Sequence, residues 1–313
     1  MQGVRRQKKV RFKKSPENRK RLEYIAILPS LITLMNGLCG FTAIIFASKE
    51  PGTAWRPVLL PGINVSFFAL AGYMIFLAMI ADVLDGHVAR ISNTTSGFGA
   101  QLDSLCDVIS FGIAPAFLML KVVEETTAGP HFENLRFAQA YGKVIYFIAI
   151  IYAMCALIRL ARFNVENKEE DSSHLSFAGL PTPPAAGTIV SIIVFQQDFL
   201  LKITAWPAGY IRIFEMVIAW ALPAIALIAG FLMVTRIPYP HVVNRILRGK
   251  KRFTTFLLIL FALLITIWNI QIAMVLCFVI FTLYGIIHWF FADVLAKKKK
   301  QPEPLPPPDE NED

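Results

Sequence analysis

Eight apolar runs, each near the length of a bilayer crossing, restrict this chain more than any other feature. They lie at roughly 24–48, 64–91, 98–122, 140–165, 182–203, 211–235, 253–270 and 272–295. A transmembrane helix needs about 20 mostly apolar residues. In hydrocarbon every backbone N–H and C=O must be satisfied within the protein, so such runs are read as helices. Composition agrees: 55% of residues are hydrophobic and 17% are charged, against about a quarter charged in soluble domains. The expected fold is all-α, a polytopic membrane helix bundle of about eight transmembrane helices. The polar segments between the runs are too short to bury a core of their own.

Charge orients the bundle. Residues 1–21 hold ten Lys/Arg and one acid, Glu17. An even number of spans puts both termini on one side of the membrane. On that side the loop 236–252 carries Arg236, Arg245, Arg248, Lys250, Lys251 and Arg252. The opposite loops, 49–63 and 123–139, mix acids with few bases. Excess Lys/Arg marks the cytoplasmic face, so both termini are expected in the cytoplasm of a cell (plasma) membrane. The basic clusters flank apolar spans, which favours anionic lipid over nucleic acid as their partner. Cys39, Cys106, Cys155 and Cys277 lie in apolar stretches without a CxxC pair, and are expected to be packed thiols. The tail, Pro-rich and then acidic, has no core-forming residues and is expected to be disordered.

Four acids sit where lipid penalises them. Asp82 and Asp85 end the second run, and Asp103 and Asp107 begin the third. A central Asp costs a few kcal/mol on insertion scales, so such residues face a wet, protein-lined cavity. Asp82 and Asp85 are spaced i, i+3 and share a helix face. Gly99, Asp103 and Asp107 are spaced i, i+4, i+8 and share another. The short polar link near 92–96 makes the two helices antiparallel neighbours, so both pairs converge near the cytoplasmic end. Four carboxylates held close need cations to remain ionised. Oxygen-seeking Mg²⁺ or Mn²⁺ fits them, and no His/Cys cluster offers zinc a site.

Together these residues read Asp82-x2-Asp85-Gly86-x2-Ala89-Arg90-x8-Gly99-x3-Asp103-x3-Asp107. The pattern resembles the signature of the CDP-alcohol phosphatidyltransferase family. The resemblance implies a six-helix family core over residues 24–235, with two further C-terminal helices. The remaining divisions are a basic segment at 1–23, a basic loop at 236–252, a two-helix hairpin at 253–295 and a tail at 296–313. It implies a divalent-metal site of two ions held by Asp82, Asp85, Asp103 and Asp107, with Asp107 also the catalytic base. Gly86, Ala89, Arg90 and Gly99 are implied as the surface for the CDP moiety. It further implies a homodimer.

Three segments resemble the phosphatidylserine synthase branch: 28–40, 101–116, and 159–164 with 177–183. In the first, Ser30 stands where the family often has Asn, so Thr33 and Asn36 remain as donor contacts. In the third, Arg159, Arg162 and Asn164 are candidates for the acceptor or a lipid phosphate. The implied donor is CDP-diacylglycerol and the implied acceptor L-serine. Alternatives within the class are inositol phosphate, glycerol phosphate or an archaeal-type lipid donor. A different class, an ion or proton transporter, would place acids near the membrane midplane on broken helices; here the acids gather at one end.

Overall fold

A computed structural model of the chain describes residues 16–49, 54–55, 65–92, 97–128, 135–169, 176–199, 208–240, 266 and 269–299. The helices are α1 (Pro16–Ala47), α2 (Phe67–Ser92), α3 (Gly97–Asp107), α4 (Ala114–Ala128), α5 (Leu135–Glu169), α6 (Thr182–Val194), α7 (Ala208–Val234) and α8 (Ile270–Lys299). A π-helical stretch, Val108–Ile113, joins α3 to α4, and another, Phe195–Phe199, extends α6. Two small antiparallel ribbons complete the fold. β1 (Ala54–Trp55) pairs with β2 (Val65–Ser66), and β3 (Ser176–Ala178) pairs with β4 (Pro238–Pro240).

Among the described residues, six helical stretches are long and apolar enough to cross a membrane: Ser30–Ala47, Phe67–Val88, Gly97–Ala128, Gln139–Val165, Ile213–Val234 and Ile270–Phe291. The chain is therefore an all-α, multi-pass integral membrane protein. The run expected at 182–203 appears as α6 and its π extension. Most of the run expected at 253–270 lies outside the described residues, as does the tail.

Burial explains the layering. α6 is apolar on nearly every side, with Ala185, Ala186, Ile189, Val190, Ile193 and Val194 all buried. A helix apolar all round belongs at the centre of a bundle, and α6 packs against α2, α4, α7 and α8. α8 lies at the periphery and exposes Ile280, Leu283, Ile287 and Phe290. In a bilayer those side chains meet acyl chains.

The junction between α3 and α4 has a chemical cause. Pro115 has no N–H to give to the carbonyl of Phe111 four residues back, and its ring crowds that carbonyl. The helix widens there: the Ala114 N–H bonds to Ile109 O, five residues back. Phe111 O, deprived of its helical donor, accepts instead from the Tyr152 hydroxyl of α5 at 3.1 Å. Both Tyr152 and Phe111 are fully buried. Tyr152→Phe should therefore strand a buried carbonyl and cost about 1–3 kcal/mol. Thermal unfolding in detergent measures this, and the exposed Tyr210→Phe serves as control.

α1 is the helix against which the acid-bearing pair assembles. It runs closely along α2, and also packs on α3 and the π stretch. A Cβ on Gly37 would come within 2.8 Å of Cys106 Sγ, and one on Gly40 within 2.6 Å of Ser110 Cα. Two glycines three apart thus let backbones approach, as small residues do in membrane bundles. All four cysteines are unpaired thiols.

Candidate active site

Asp82 and Asp85 come from the last turns of α2, and Asp103 and Asp107 from α3. One carboxylate oxygen from each of Asp82, Asp85 and Asp103 lies within 4.8 Å of the other two. Helical spacing alone arranges each pair; the fold brings the pairs together. α2 packs along α1 and, deeper, against α4, but hardly touches α3. The expected antiparallel neighbours therefore part at their acidic ends, and the carboxylates face one another across the gap.

A layer of polar side chains from α1 underlies the acids. The Thr33 hydroxyl donates to Asp85, which also accepts the Gly86 N–H. Asn36 Nδ2 donates to Asp107 Oδ1 at 3.0 Å. Asn36 is itself held by its carbonyl, which accepts from the Ser110 hydroxyl at 2.9 Å. Thr33, Asn36, Asp85, Asp107 and Ser110 are all buried, while Asp82 and Asp103 are half-buried. Thr33 and Asn36, expected as donor contacts, are thus bonded to the carboxylates in this structure.

The carboxylate set fits a divalent cation. Asp85 Oδ2 and Asp103 Oδ1 are buried and accept no hydrogen bond. Buried acceptors without donors are costly, and clustered carboxylates repel one another. A hard ion coordinated by oxygen relieves both problems. Asp107 stands beside the group of three, within electrostatic reach of Asp82 and Asp103.

The residues expected on the acceptor side come from the C-terminal half of α5. Arg159 is buried, its Nη1 donates to the Thr182 hydroxyl at 3.1 Å, and its Nε has no partner. It is also within electrostatic reach of Asp107. Arg162 donates from Nη1 to Val234 O at 3.0 Å and faces Thr235 O at the end of α7. Asn164 Nδ2 donates to the Ser104 hydroxyl at 2.8 Å. Gly99 lies in the first turn of α3. The side chains of Ala89 and Arg90 lie outside the described residues.

Sequence reasoning did not single out Ser104 or Ser110, and it took Thr182 only as part of the turn 179–183, a candidate to shape the acceptor pocket. Ser104 and Ser110 lie within the acid-bearing motif segment, and Thr182 within the proline-rich turn. That signal, a small hydroxyl in an otherwise apolar helix, was present in the sequence. Their partners, 60, 74 and 23 residues away in sequence, were not.

Residues 26–224 match the family model described as CDP-alcohol phosphatidyltransferase. The chain belongs to the CDP-alcohol phosphatidyltransferase family. The match takes in α2 to α6 entire and most of α1 and α7, including every aspartate of the cluster, and leaves out β4 and α8. Several relatives carry the name CDP-diacylglycerol–serine O-phosphatidyltransferase. One from Helicobacter pylori is 27% identical over 265 residues, covering 85% of this chain and 92% of the relative. One from Methanocaldococcus jannaschii is 30% identical over 223 residues, covering 70% and 84%. One from Saccharomyces cerevisiae is 33% identical over 166 residues, 51% of each chain. For this family member, the four-aspartate cluster is the candidate active site.

Proposed function

We propose that this protein transfers the phosphatidyl group of CDP-diacylglycerol to L-serine, giving phosphatidylserine and CMP. The observation that carries the reading is the gathering of Asp82, Asp85 and Asp103 into one group with Asp107 beside it. Membership of the family and the serine acceptor named for its relatives support the same reaction.

The chemistry follows from those groups. The serine hydroxyl attacks the phosphorus that bears diacylglycerol. A new P–O bond forms, the bond to the CMP phosphate breaks, and CMP leaves. Asp107 takes the hydroxyl proton, as a carboxylate within hydrogen-bond reach of the nucleophile can. Asn36 fixes that carboxylate through one oxygen, and Thr33 does the same for Asp85. Asp82, Asp85, Asp103 and Asp107 hold Mg²⁺ or Mn²⁺, two ions in this reading. When bound, such ions neutralise pyrophosphate charge and stabilise the leaving group. Gly86, Ala89, Arg90 and Gly99 form the donor surface. Arg159, with a free buried Nε, and Arg162 are cations for the serine carboxylate or a lipid phosphate, and Asn164 borders the same region. No covalent enzyme intermediate is required.

The same reading has eight spans. Positive charge in 1–21 and 236–252 puts both termini and the active site in the cytoplasm. The enzyme acts as a homodimer, as the family resemblance implies. One assay tests the reaction. Purified protein is given CDP-diacylglycerol and divalent metal, and CMP release is compared with serine, inositol phosphate and glycerol phosphate. Serine should accelerate release and the other two should not; no acceleration by serine overturns the acceptor assignment.

A further inference from the structure

We propose that α8, which lies outside the family match, positions the acceptor-side arginines through Tyr239. This inference rests on the reading of Arg159 and Arg162 as acceptor or lipid-phosphate contacts.

The connection runs through one continuous set of contacts. Tyr239 is the middle residue of β4 and is buried to 1% exposure although it lies beyond the membrane-spanning part of α7. Its ring occupies the notch over Gly285 of α8, where any Cβ would overlap it. The ring packs on Phe281 with centroids 5.8 Å apart, and its hydroxyl donates to Thr282 O at 3.3 Å. Burial pushes this phenol up to about 12, so it remains a donor through the working range of pH. β4 pairs with β3 in a register that sets Tyr239 opposite Phe177.

From β3 the chain enters a turn that only glycine can make. Gly179 has φ +88°, and a Cβ there would lie 2.6 Å from both Met233 O and Thr235 O. The turn is pinned by Gly179 N–H to Ile237 O at 2.9 Å and Leu180 N–H to Leu232 O at 3.0 Å. Thr182 follows at once, and its hydroxyl receives Arg159 Nη1. Arg162 donates to the carbonyl of Val234 in the strand of contacts just before β4. Arg159 is therefore fastened to the turn at Thr182, and Arg162 to the end of α7 that is hydrogen-bonded to that turn. β4, which pairs with the strand leading into the turn, is fastened to α8 by Tyr239.

α8 is itself keyed into the bundle. The Phe278 ring sits on Gly187 of α6, where no Cβ would fit, and stacks on Phe76 of α2 with centroids 5.7 Å apart. Thr188 and Thr282 share a hydrogen bond of 2.8 Å. A helix registered so closely can hold a cytoplasmic ribbon at fixed height. Tyr239 is thus a positioning residue: it touches neither acid cluster nor arginine, and acts through the turn.

The test compares Tyr239→Ala, Tyr239→Phe and the lipid-facing control Ile280→Ala in the full chain. Two measurements are made on each. The first is steady-state CMP release with serine and CDP-diacylglycerol varied separately. Tyr239→Ala should raise the serine KM about tenfold and leave the CDP-diacylglycerol KM within twofold. Tyr239→Phe, which keeps the ring, should restore the serine KM, and Ile280→Ala should match wild type. A merely structural role lowers the yield of active enzyme and kcat without moving the serine KM, and that outcome overturns the proposal. The second is amide hydrogen exchange over residues 176–182. Tyr239→Ala should accelerate exchange of Gly179 and Leu180 at least tenfold; unchanged protection overturns the proposal whatever the acceptor. If wild type releases no CMP with serine, the proposed reaction fails, and the exchange measurement alone decides whether Tyr239 holds the turn.

Discussion

Replacing Asp107 by Asn is expected to lower CMP release roughly 10²–10⁴-fold, the usual contribution of a positioned acid or base. Asn has nearly the shape of Asp, and its side-chain oxygen can still accept from Asn36 Nδ2, which is 3.0 Å from Asp107 in the native chain. The variant should therefore insert and fold. It loses the negative charge that, in the proposed reaction, takes the serine proton. Measurement of CMP release by the purified variant, at matched amounts of folded protein, gives the answer. Full activity in Asp107→Asn removes the base assignment. Asn36→Ala should give a smaller loss, because the carboxylate remains but is no longer oriented.

Removal of divalent metal should abolish turnover, with Mg²⁺ or Mn²⁺ restoring it. The stability response is the sharper signature. Oxygens of Asp82, Asp85 and Asp103 lie within 4.8 Å of one another. At such separations like charges repel by about 4 kcal/mol in a medium of effective dielectric 20. Without metal, Asp85→Asn should therefore melt at or above wild type, because it relieves that repulsion. With metal at a hundred times its Kd, binding stabilises the wild type by about 2.7 kcal/mol, and the order should reverse. Melting curves in detergent, with chelator and with each metal, show whether it does. Wild-type turnover and melting that both ignore the chelator would sink the metal reading.

The parts of the site differ in how far the sequence exposed them. Asp82 with Asp85, and Asp103 with Asp107, could be placed on helix faces because the 3.6-residue period is local. Their location at one end of the bundle followed from the brevity of the link between the runs. The support beneath them could not be read that way. Thr33 bonds to Asp85 and Asn36 to Asp107 because Gly37 and Gly40 let α1 close on the π stretch. Asn36 and Asp107 are 71 residues apart. Arg162, a candidate for the serine carboxylate or a lipid phosphate, donates to carbonyls at the end of α7, partners 72 and 73 residues away that the sequence did not reveal. The π stretch had a local cause in Pro115, but its rescue by Tyr152 depends on a different helix.

The sequence by itself determined the class of solvent, the helical state of the apolar runs, and the face on which each aspartate lies. These depend on bilayer thickness and helix period, which act over a few turns of chain. Only the tertiary structure decided which faces meet. It parted α2 from α3 at their acidic ends, set α1 beneath the carboxylates and tied the strand leading into the turn that receives Arg159 to α8 through Tyr239. Such choices depend on side-chain volumes and hydrogen-bond partners far apart in sequence, where a missing Cβ at Gly40, Gly187 or Gly285 is the space that another residue fills.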